Sequence, residues 1–288
     1  MGVTIRALKK NEYISVERLY EQKVGKFTNN MDRKNFRRYL NLNINLIKVA
    51  VLEKEILGYI IGYQSNIRKN RIYSIYIRPE YRNKSIGSNL IQSLEKTILE
   101  QSDIDYLTVR VPEAFFSSID FFRKNKFEVV GLINNYRKND IDFPFKTNQN
   151  TFIRPATIDD TQELVKIEEN SFSPYWRMSK EEFANRILSE RNSFFVALLE
   201  DKVVGYNYNT ISLNGNNGYY VRIAIHPKYR KMKISTTLTS NAFKWFKKKR
   251  VRRIFLSTYA DSDAHNQMYK SWGFKYVDQE IILAKMYI

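Results

Sequence analysis

Residues 73–90 read YSIYIRPEYRNKSIGSNL. A strand ends in this stretch, a short loop follows, and a helix begins within the loop. The first turn of a helix has free backbone N–H groups and a positive dipole end, so it attracts phosphate. The loop's small residues are Ser85, Gly87 and Ser88, and its basic residues are Arg82 and Lys84. Small side chains let phosphate oxygens approach the backbone, so the stretch indicates a phosphate-bearing ligand. The alternative is an ordinary strand–helix turn with a solvated basic face.

A domain-sized internal repeat organises the chain. Four landmarks recur in the same order at an offset of 147 or 148 residues. They are Ile5-Arg6-Ala7 with Ile153-Arg154-Pro155, Gly58-Tyr59 with Gly205-Tyr206, Pro79-Glu80-Tyr81-Arg82 with Pro227-Lys228-Tyr229-Arg230, and Lys126-Phe127 with Gly273-Phe274. A period of this length indicates a duplicated domain and not a solenoid. We expect two domains, residues 1–145 and 151–288, joined by the polar stretch Asn139–Thr151 around Pro144.

Both halves alternate strand and helix patterns. The strand-like runs are Leu46–Leu52, Arg71–Ile77, Ser193–Leu199 and Tyr219–Ile225. The residues at helical spacing are Ile86, Leu90, Leu94 and Ile98 in the first half, and Ile234, Leu238 and Trp245 in the second. This alternation predicts a mixed α/β fold with a central sheet in each half.

The composition excludes several kinds of site. The chain has 288 residues, of which 43% are hydrophobic, so it contains enough apolar material for packed cores. It has no cysteine, which excludes disulfide scaffolds, thiolate metal sites and cysteine nucleophiles. Only His226 and His265 are available as imidazoles, so we expect no metal site. No apolar run is long enough to span a bilayer and Met1–Arg6 resembles no signal peptide, so we expect a soluble, cytoplasmic protein.

The net charge is +18, and both halves share the excess. We favour compositional drift together with a phosphate-bearing ligand as the explanation of this excess, and a nucleic-acid partner is the alternative. Seven of the ten residues in Lys244–Arg253 are basic. The default explanation of this run is a solvated helix end, where cations are favoured. The alternative is a contact with nucleic acid, whose affinity would fall steeply with salt.

The stretch around Arg82 resembles motif A of the GNAT acetyltransferase superfamily. In that family, a strand followed by x-x-Pro-x-Tyr-Arg leads into Arg/Gln-x-x-Gly-x-Gly/Ala, which stands here as Arg82-Asn-Lys-Ser85-Ile-Gly87. The resemblance implies that the loop holds the pyrophosphate of the co-substrate acetyl-coenzyme A, and that the preceding strand is splayed and binds the pantetheine arm. The cofactor-binding residues so implied are Ile75, Tyr76, Ile77, Arg82, Asn83, Lys84, Ser85, Ile86, Gly87 and Ser88. It also implies two tandem GNAT-like domains, each with a central mixed, mostly antiparallel sheet flanked by helices.

A second family motif, a helix that carries a tyrosine and ends in Gly-Phe, differs between the halves. In the first half the tyrosine position is Phe122 and the glycine position is Lys126. The second half keeps Tyr269 and Gly273-Phe274, but its loop Arg230–Ser235 lacks both glycines. The resemblance implies that Tyr269 protonates the departing thiolate. In the first half, Tyr73 or Tyr76 serves instead, or the thiolate leaves unassisted.

Residues 167–176 resemble the opening of the GNAT branch that acetylates protein amino termini, ribosomal proteins included. We therefore expect direct acetyl transfer from acetyl-coenzyme A to a primary amine of a small molecule or a peptide terminus. The general base is open, because no Asp or Glu lies between Val203 and Ala260, and His265 is the better titrating candidate of the two histidines. Either half can be the active one. The alternative function is a catalytically degenerate sensor or assembly protein that binds acyl-coenzyme A or nucleic acid.

Overall fold

The computed structural model describes residues 2–24, 33–66, 68–143, 145, 147–172, 176–212 and 214–287. The chain forms two compact units: unit 1 is Met1–Ile133 with Gln279–Ile288, and unit 2 is Asn134–Asp278. These bounds differ from the expected 1–145 and 151–288, because the last residues of the chain pair with a strand of unit 1. Pro144, at the centre of the expected linker, lies outside the described residues.

Twelve strands and eight α-helices are assigned within the described residues. The strands are β1 (Thr4–Ala7), β2 (Ile47–Leu52), β3 (Glu55–Asn66), β4 (Lys69–Ile77), β5 (Tyr106–Pro112), β6 (Glu128–Lys138), β7 (Phe152–Pro155), β8 (Asn192–Leu199), β9 (Lys202–Ile211), β10 (Asn217–Ile225), β11 (Arg253–Tyr259) and β12 (Lys275–Met286). The helices are α1 (Tyr13–Val24), α2 (Arg33–Leu42), α3 (Ile86–Gln101), α4 (Ile119–Lys124), α5 (Thr161–Ser171), α6 (Lys180–Ile187), α7 (Ile234–Lys248) and α8 (Asp263–Ser271). None of these helices is both long and apolar enough to cross a bilayer.

The sheet of unit 1 has the order β1-β2-β3-β4-β5-β12. All its neighbours are antiparallel except β4 and β5, which run parallel. The connection between these two strands contains α3, as a parallel pair requires. The last strand contributes residues Glu280–Met286, which pair with Tyr106–Pro112. The mixed, mostly antiparallel sheet expected for this half is confirmed.

Two separate apolar clusters cover the two faces of this sheet. One contains Leu90, Leu94 and Ile98 of α3 packed with Ala50 and Ile60 of the sheet. The other contains residues of α1 and α2 packed with Val49, Tyr59 and Ile61. Adjacent strand residues such as Val49 and Ala50 belong to different clusters because successive side chains point to opposite faces. Helices α1 and α2 therefore cover one face and α3 covers the other.

Unit 2 repeats this arrangement with its own strands. Its sheet has the order β6-β11-β10-β9-β8-β7, in which β10 and β11 are parallel and β7, β8, β9 and β10 are successively antiparallel. Helix α7 packs its buried Leu238, Phe243 and Phe246 on one face. Residues Leu164 and Ile167 of α5 pack on the other face.

Candidate active site

A β-bulge in unit 1 separates β4 from β5. The register between β3 and β4 shifts between Ile61 and Gly62, whose partners are Ser74 and Ile72, so Tyr73 is an extra residue in β4. The parallel pairing of β4 with β5 ends at Ile72, opposite Val109. Beyond the bulge the β4 backbone has no β5 partner. Residues Ile75, Tyr76 and Ile77, which the sequence predicted to bind with their backbone, lie on this unpaired part of the strand.

The loop after β4 has two residues in the left-handed region. Asn83 has φ of 59° and Ser85 has φ of 57°, and helix α3 begins at the next residue, Ile86. A left-handed backbone is the conformation that glycine adopts most easily, so a glycine at the Ser85 position is favoured on physical grounds. Arg82 fixes the loop to the strand, because its Nε donates a hydrogen bond of 3.0 Å to the Ile77 carbonyl. Its guanidinium lies 5.6 Å from the centre of the Tyr76 ring.

The predicted cofactor residues differ in exposure. Arg82, Asn83, Lys84 and Ser85 are exposed, Ser88 is half-buried, and Ile86 and Gly87 are buried. A Cβ on Gly87 would lie 2.9 Å from Cε2 and Cζ of Phe121 and 3.2 Å from Cδ1 of Ile77. The small residue at this position therefore accommodates the Phe121 ring of α4. The exposed residues and the first-turn N–H groups of α3 are the groups that fit an anionic ligand.

Unit 2 has the same bulge and the same left-handed loop conformation, although its loop lacks both glycines of the family motif. Val221 is the extra residue in β10, and the pairing of β10 with β11 ends at Tyr219, opposite Phe255. Lys231 and Lys233 have φ of 63° and 58°, and α7 begins directly after them. Both glycines of the family motif are missing from this loop, but the left-handed conformations are present.

A residue before β7 contacts this second loop. The Asn148 side chain donates a hydrogen bond of 2.8 Å to the Met232 carbonyl. The Asn148 backbone N–H donates to Thr237 Oγ1 at 3.0 Å. Asn148 thus links the loop to the first turns of α7 in unit 2. At the position of Thr237, unit 1 has Asn89, which is exposed.

Tyr269 lies in an apolar cluster at the point where β10 leaves β11. Its ring makes edge contacts with Tyr220, Trp272 and Phe274, at centroid distances of 6.3, 5.7 and 6.1 Å. Tyr220 is the residue directly before the bulge at Val221. Burial raises the pKa of the Tyr269 hydroxyl well above its ordinary value, so the group stays protonated. The counterpart in unit 1, Phe122, is buried beside Phe127.

Comparisons with known proteins give the family. The model of the acetyltransferase (GNAT) domain matches residues 16–143, and the model of the acetyltransferase (GNAT) family matches residues 159–274. The chain belongs to the GNAT acetyltransferase superfamily. The sequence-based assignment to tandem GNAT domains is thereby confirmed, and the protein is an acyltransferase.

Individual relatives agree with this assignment. The chain is 25% identical over 121 residues to a Bacillus subtilis (strain 168) protein that carries the provisional name ribosomal protein bS18-alanine N-acetyltransferase; the match spans 42% of this chain and 78% of that protein. A GCN5-related N-acetyltransferase from Sphaerobacter thermophilus superposes with a TM-score of 0.75 at 16% identity, covering 99% of this chain and 95% of that one. A tandem GNAT protein from the clavulanic acid biosynthesis pathway superposes with a TM-score of 0.68 at 12% identity, covering 99% and 98%. At these identities the two structures show the shared fold.

In the second GNAT unit, a carboxylate that sequence reasoning missed reaches β10 from α5. Glu168 is fully buried and accepts hydrogen bonds from Arg222 Nε at 2.9 Å, from Arg222 Nη2 at 3.0 Å and from the Met178 N–H at 2.9 Å. It also accepts a hydrogen bond from the Tyr206 hydroxyl. The Arg222 guanidinium lies 3.9 Å from the centre of the Phe172 ring. Since all these partners occupy the carboxylate, Glu168 holds the chain after α5 in place and is a poor candidate for the general base.

In the first GNAT unit, sequence reasoning missed a half-buried lysine whose amine contacts β4. Lys23 Nζ, at the end of α1, donates a hydrogen bond of 3.1 Å to Ser74 Oγ. The Tyr59 hydroxyl lies 3.0 Å from the same oxygen. Helical spacing on α1 marks Lys23 only as a polar residue near a helix end, so no pattern in the sequence distinguishes it from a solvated lysine.

His265, the basic run Lys244–Arg253 and Pro174 are the remaining residues that the sequence singled out. His265 is exposed, and its Nδ1 lies 2.7 Å from Ser262 Oγ. Desolvation of the imidazole by neighbouring protein atoms and the charge of Arg230 lower its pKa. Within the described residues, no three His, Asp or Glu side chains cluster as a metal site. The basic residues of Lys244–Arg253 are mostly exposed at the end of α7, as a solvated helix end requires, and the comparisons give no support to a nucleic-acid partner. Pro174, part of the amino-terminal acetyltransferase resemblance, lies outside the described residues.

Proposed function

We propose that this protein is an N-acetyltransferase that moves an acetyl group from acetyl-coenzyme A to a primary amine, and that unit 1 holds the coenzyme. The observation that carries the proposal is the combination of two features of unit 1. The strand segment Ser74–Ile77 pairs with β3 but has no β5 partner, and an exposed loop leads from this strand into α3. A strand without its parallel neighbour can hydrogen-bond an extended ligand. A helix start can bind its anionic end.

The strand and the loop of unit 1 bind different parts of acetyl-coenzyme A. The backbone of Ile75–Ile77 binds the pantetheine arm. The first-turn N–H groups of α3 and the side chains of Arg82 and Lys84 bind the diphosphate. Arg82 Nε is already bonded to Ile77, so its two terminal nitrogens, which have no protein partner among the described residues, are available to the anion. Acetyl-coenzyme A supplies an activated thioester carbonyl.

Asn148 is the reason for preferring unit 1 over unit 2. In unit 2 its side chain and backbone bridge Met232 and Thr237 beside the corresponding loop. In that loop Lys233 also places a long cationic side chain where unit 1 has Ser85. The unit 1 loop has neither feature, so a diphosphate can approach its amides directly.

Tyr269 supports a second candidate within the same activity, in which unit 2 performs the transfer. Its ring contacts Tyr220 beside the diverging strands, and its hydroxyl is protonated at neutral pH. A phenol in that place can protonate a departing thiolate. In this arrangement the coenzyme binds the unpaired strand Arg222–Ile225 instead of Ser74–Ile77.

The acceptor that we propose is the terminal amine of a peptide, with small-molecule amines as the alternative. The provisional name of the Bacillus subtilis relative, which refers to an alanine of ribosomal protein bS18, favours the terminal amine. The resemblance of residues 167–176 to the branch that acetylates amino termini favours it as well. Peptides that begin with alanine are therefore the first acceptors to assay, followed by a panel of small primary amines.

A matched pair of charge reversals tests which unit holds the coenzyme. Arg82 and Arg230 are equivalent residues, and each donates from Nε to the last strand carbonyl, at 3.0 and 3.2 Å. Calorimetric titration of coenzyme A into wild type, Arg82→Glu and Arg230→Glu compares them directly. We expect Arg82→Glu to weaken binding by about tenfold or more, since a charge-assisted contact is lost, and Arg230→Glu to leave it almost unchanged.

Two outcomes of this titration contradict the proposal. Loss of binding only in Arg230→Glu would assign the coenzyme to unit 2. Equal binding of pantetheine, which lacks the diphosphate, and coenzyme A would show that neither loop holds an anion.

A further inference from the structure

Lys23 is half-buried, and the proposed reaction does not use its amine. It stands in the last turn of α1, on the face of the sheet that α1 and α2 cover. Its Nζ donates to Ser74 Oγ at 3.1 Å and lies 5.6 Å from the centre of the Phe115 ring. Ser74 is 3% exposed and also contacts the Tyr59 hydroxyl at 3.0 Å. The amine is therefore held in one place by its surroundings.

Ser74 adjoins the strand segment that is proposed to bind the pantetheine arm, so the Lys23 amine lies close to that segment as well. Ser74 directly follows the bulged residue Tyr73, beyond the last β4 residue that pairs with β5. The next residues along the strand are Ile75–Ile77, to which the proposed function assigns the pantetheine arm. A thioester at the end of that arm would lie close to Ser74, and the Lys23 amine is within hydrogen-bond distance of the same residue.

No counter-ion to the charge of Lys23 lies within the part of the chain that the structure describes. Among the described residues, the partners of its amine are Ser74 and the Phe115 ring, and neither is a carboxylate. Burial lowers the pKa of Lys23 to about 8, so about a tenth of the amine is neutral at pH 7, far more than for an ordinary lysine. A neutral amine is the nucleophilic form, and a cation that is shielded from water without a carboxylate beside it is costly, so this residue is a candidate for chemistry.

The equivalent positions of unit 2 carry different residues and an ion pair. Arg222 stands where unit 1 has Ser74, and its charge is neutralised by Glu168. Ser171 occupies the position of Lys23. Among the residues with a described structure, the half-buried amine without a counter-ion is thus found in unit 1 and not at the equivalent position of unit 2.

We propose that Lys23 is a self-acetylation site. The lone pair of Nζ attacks the carbonyl carbon of an acetyl thioester bound in unit 1, a C–N bond forms, and the C–S bond breaks. One amine proton passes to the thiolate, so the products are Nζ-acetyl-lysine and free coenzyme A. The amide is neutral and keeps one N–H, so acetylation preserves the hydrogen bond to Ser74 and removes the half-buried charge. The inference rests on the proposed function, because unit 1 must bind the coenzyme.

Peptide-mapping mass spectrometry of the whole protein, incubated with acetyl-coenzyme A, tests this inference. Lys96, whose side chain is 78% exposed, is the internal reference for uncatalysed acetylation. We expect Lys23 to gain an acetyl group at least about tenfold faster than Lys96, since the amine and thioester are held together. Lys23→Arg should keep its fold and show no modification at residue 23. A truncated thioester, S-acetyl-N-acetylcysteamine, should lose the preference for Lys23.

Parallel titration with coenzyme A distinguishes a failure of coenzyme binding in unit 1 from a failure of self-acetylation at Lys23. If coenzyme A fails to bind, the proposed function of unit 1 is wrong. If coenzyme A binds through Arg82 but Lys23 reacts no faster than Lys96, the function stands and self-acetylation is wrong. An equal preference for Lys23 with the truncated thioester would show intrinsic reactivity in place of transfer from the coenzyme site, and would also overturn the proposal.

Discussion

Arg154 donates both of its terminal nitrogens to Asp160, each at 2.7 Å. The same carboxylate accepts the Thr157 N–H at 2.7 Å, so it joins the end of β7 to the start of α5. Arg6 and Glu12 make the equivalent pair after β1 in unit 1, with hydrogen bonds of 2.8 and 2.5 Å. The duplication thus preserved an ion pair that orients the first helix on the first strand.

The first prediction concerns this pair. Asp160→Asn should lower the free energy of unfolding at neutral pH by about 2 kcal/mol, because a partly buried arginine loses its counter-ion and the Thr157 N–H loses a charged acceptor. Burial raises the pKa of Asp160, but Arg154 and Thr157 outweigh it, so the net pKa lies below the ordinary value of 3.8. A lowered folded-state pKa gives stability that is present above the unfolded-state value and is lost as pH falls through the folded-state pKa.

Urea unfolding of wild type and variant at several pH values measures both the loss of stability and its dependence on pH. The difference in free energy should be constant between about pH 5 and 7 and should shrink below about pH 4. Asp159→Asn is the matched control, because this exposed neighbour carries the same charge and should change stability by less than about 0.5 kcal/mol. An undiminished difference at low pH would mean that packing, not charge, explains the Asp160 effect.

The second prediction concerns the left-handed residue before α7. Lys233 has φ of 58°, where an L-residue is strained. Lys233→Gly should raise the free energy of unfolding by about 1 kcal/mol, because glycine adopts this conformation without strain. Ser235→Gly, two residues later inside the helix, should lower it by about 0.5–1 kcal/mol. Chemical denaturation of the two variants measures the contrast, and a loss of stability in both would show that the Lys233 side chain makes a stabilising contact.

The third prediction concerns the contact between Gly87 and Phe121. Gly87→Ala would bring a methyl group within 2.9 Å of the Phe121 ring, so it should lower stability by about 1–3 kcal/mol. Phe121→Leu removes part of the ring and should recover about 1 kcal/mol of that loss in a double-mutant cycle. Ser235→Ala, at the equivalent position of unit 2, provides the control, since this position already carries a Cβ. Strictly additive effects of the two unit 1 substitutions would contradict the contact.

The fourth prediction concerns Tyr269. If unit 2 performs the transfer, Tyr269→Phe should lower kcat by about 100-fold or more, because the thiolate loses its proton donor. Its ring contacts remain, so thermal unfolding should change little. The assay measures thiol release from acetyl-coenzyme A with alanine-terminated peptides as acceptors. An unchanged kcat would leave Tyr269 with a packing role and favour transfer in unit 1.

The sequence predicted the fold well because the informative signals are local or repeated. The motif around Arg82 and its copy around Arg230 carry the strand, loop and helix boundaries within a few residues. The site was less predictable, because its chemistry depends on contacts between distant segments. Nothing near Lys23 indicates that it lies against Ser74, and nothing near Glu168 indicates that it neutralises a residue on β10.

Glycine patterns were also an incomplete guide. The loop of unit 2 lacks both glycines of the motif, but Lys233 adopts the left-handed conformation at a modest cost in free energy. The one glycine that unit 1 retains, Gly87, faces Phe121 and not the open loop. Backbone conformation therefore persisted where the residue type that favours it had changed.

The last prediction concerns the ion pair between Glu168 and Arg222. Glu168→Gln should lower the free energy of unfolding by about 3 kcal/mol, because the Arg222 charge is left buried beside a neutral group. Arg222 also donates to the Trp176 carbonyl at 2.5 Å, and the Trp176 ring lies 5.5 Å from that of Tyr259. The substitution should therefore also change the tryptophan fluorescence of the folded protein.

Urea unfolding followed by fluorescence measures both effects at once. Glu169→Gln is the matched control, because its side chain is exposed one residue along the same helix. If Glu168→Gln were as stable as this control, the carboxylate would contribute no net stability and could be free to act as a base. If it is destabilised while acetylation by the remaining folded protein is unchanged, then Glu168 acts by holding the segment after α5 in place, since loss of a general base would lower kcat by at least about 100-fold.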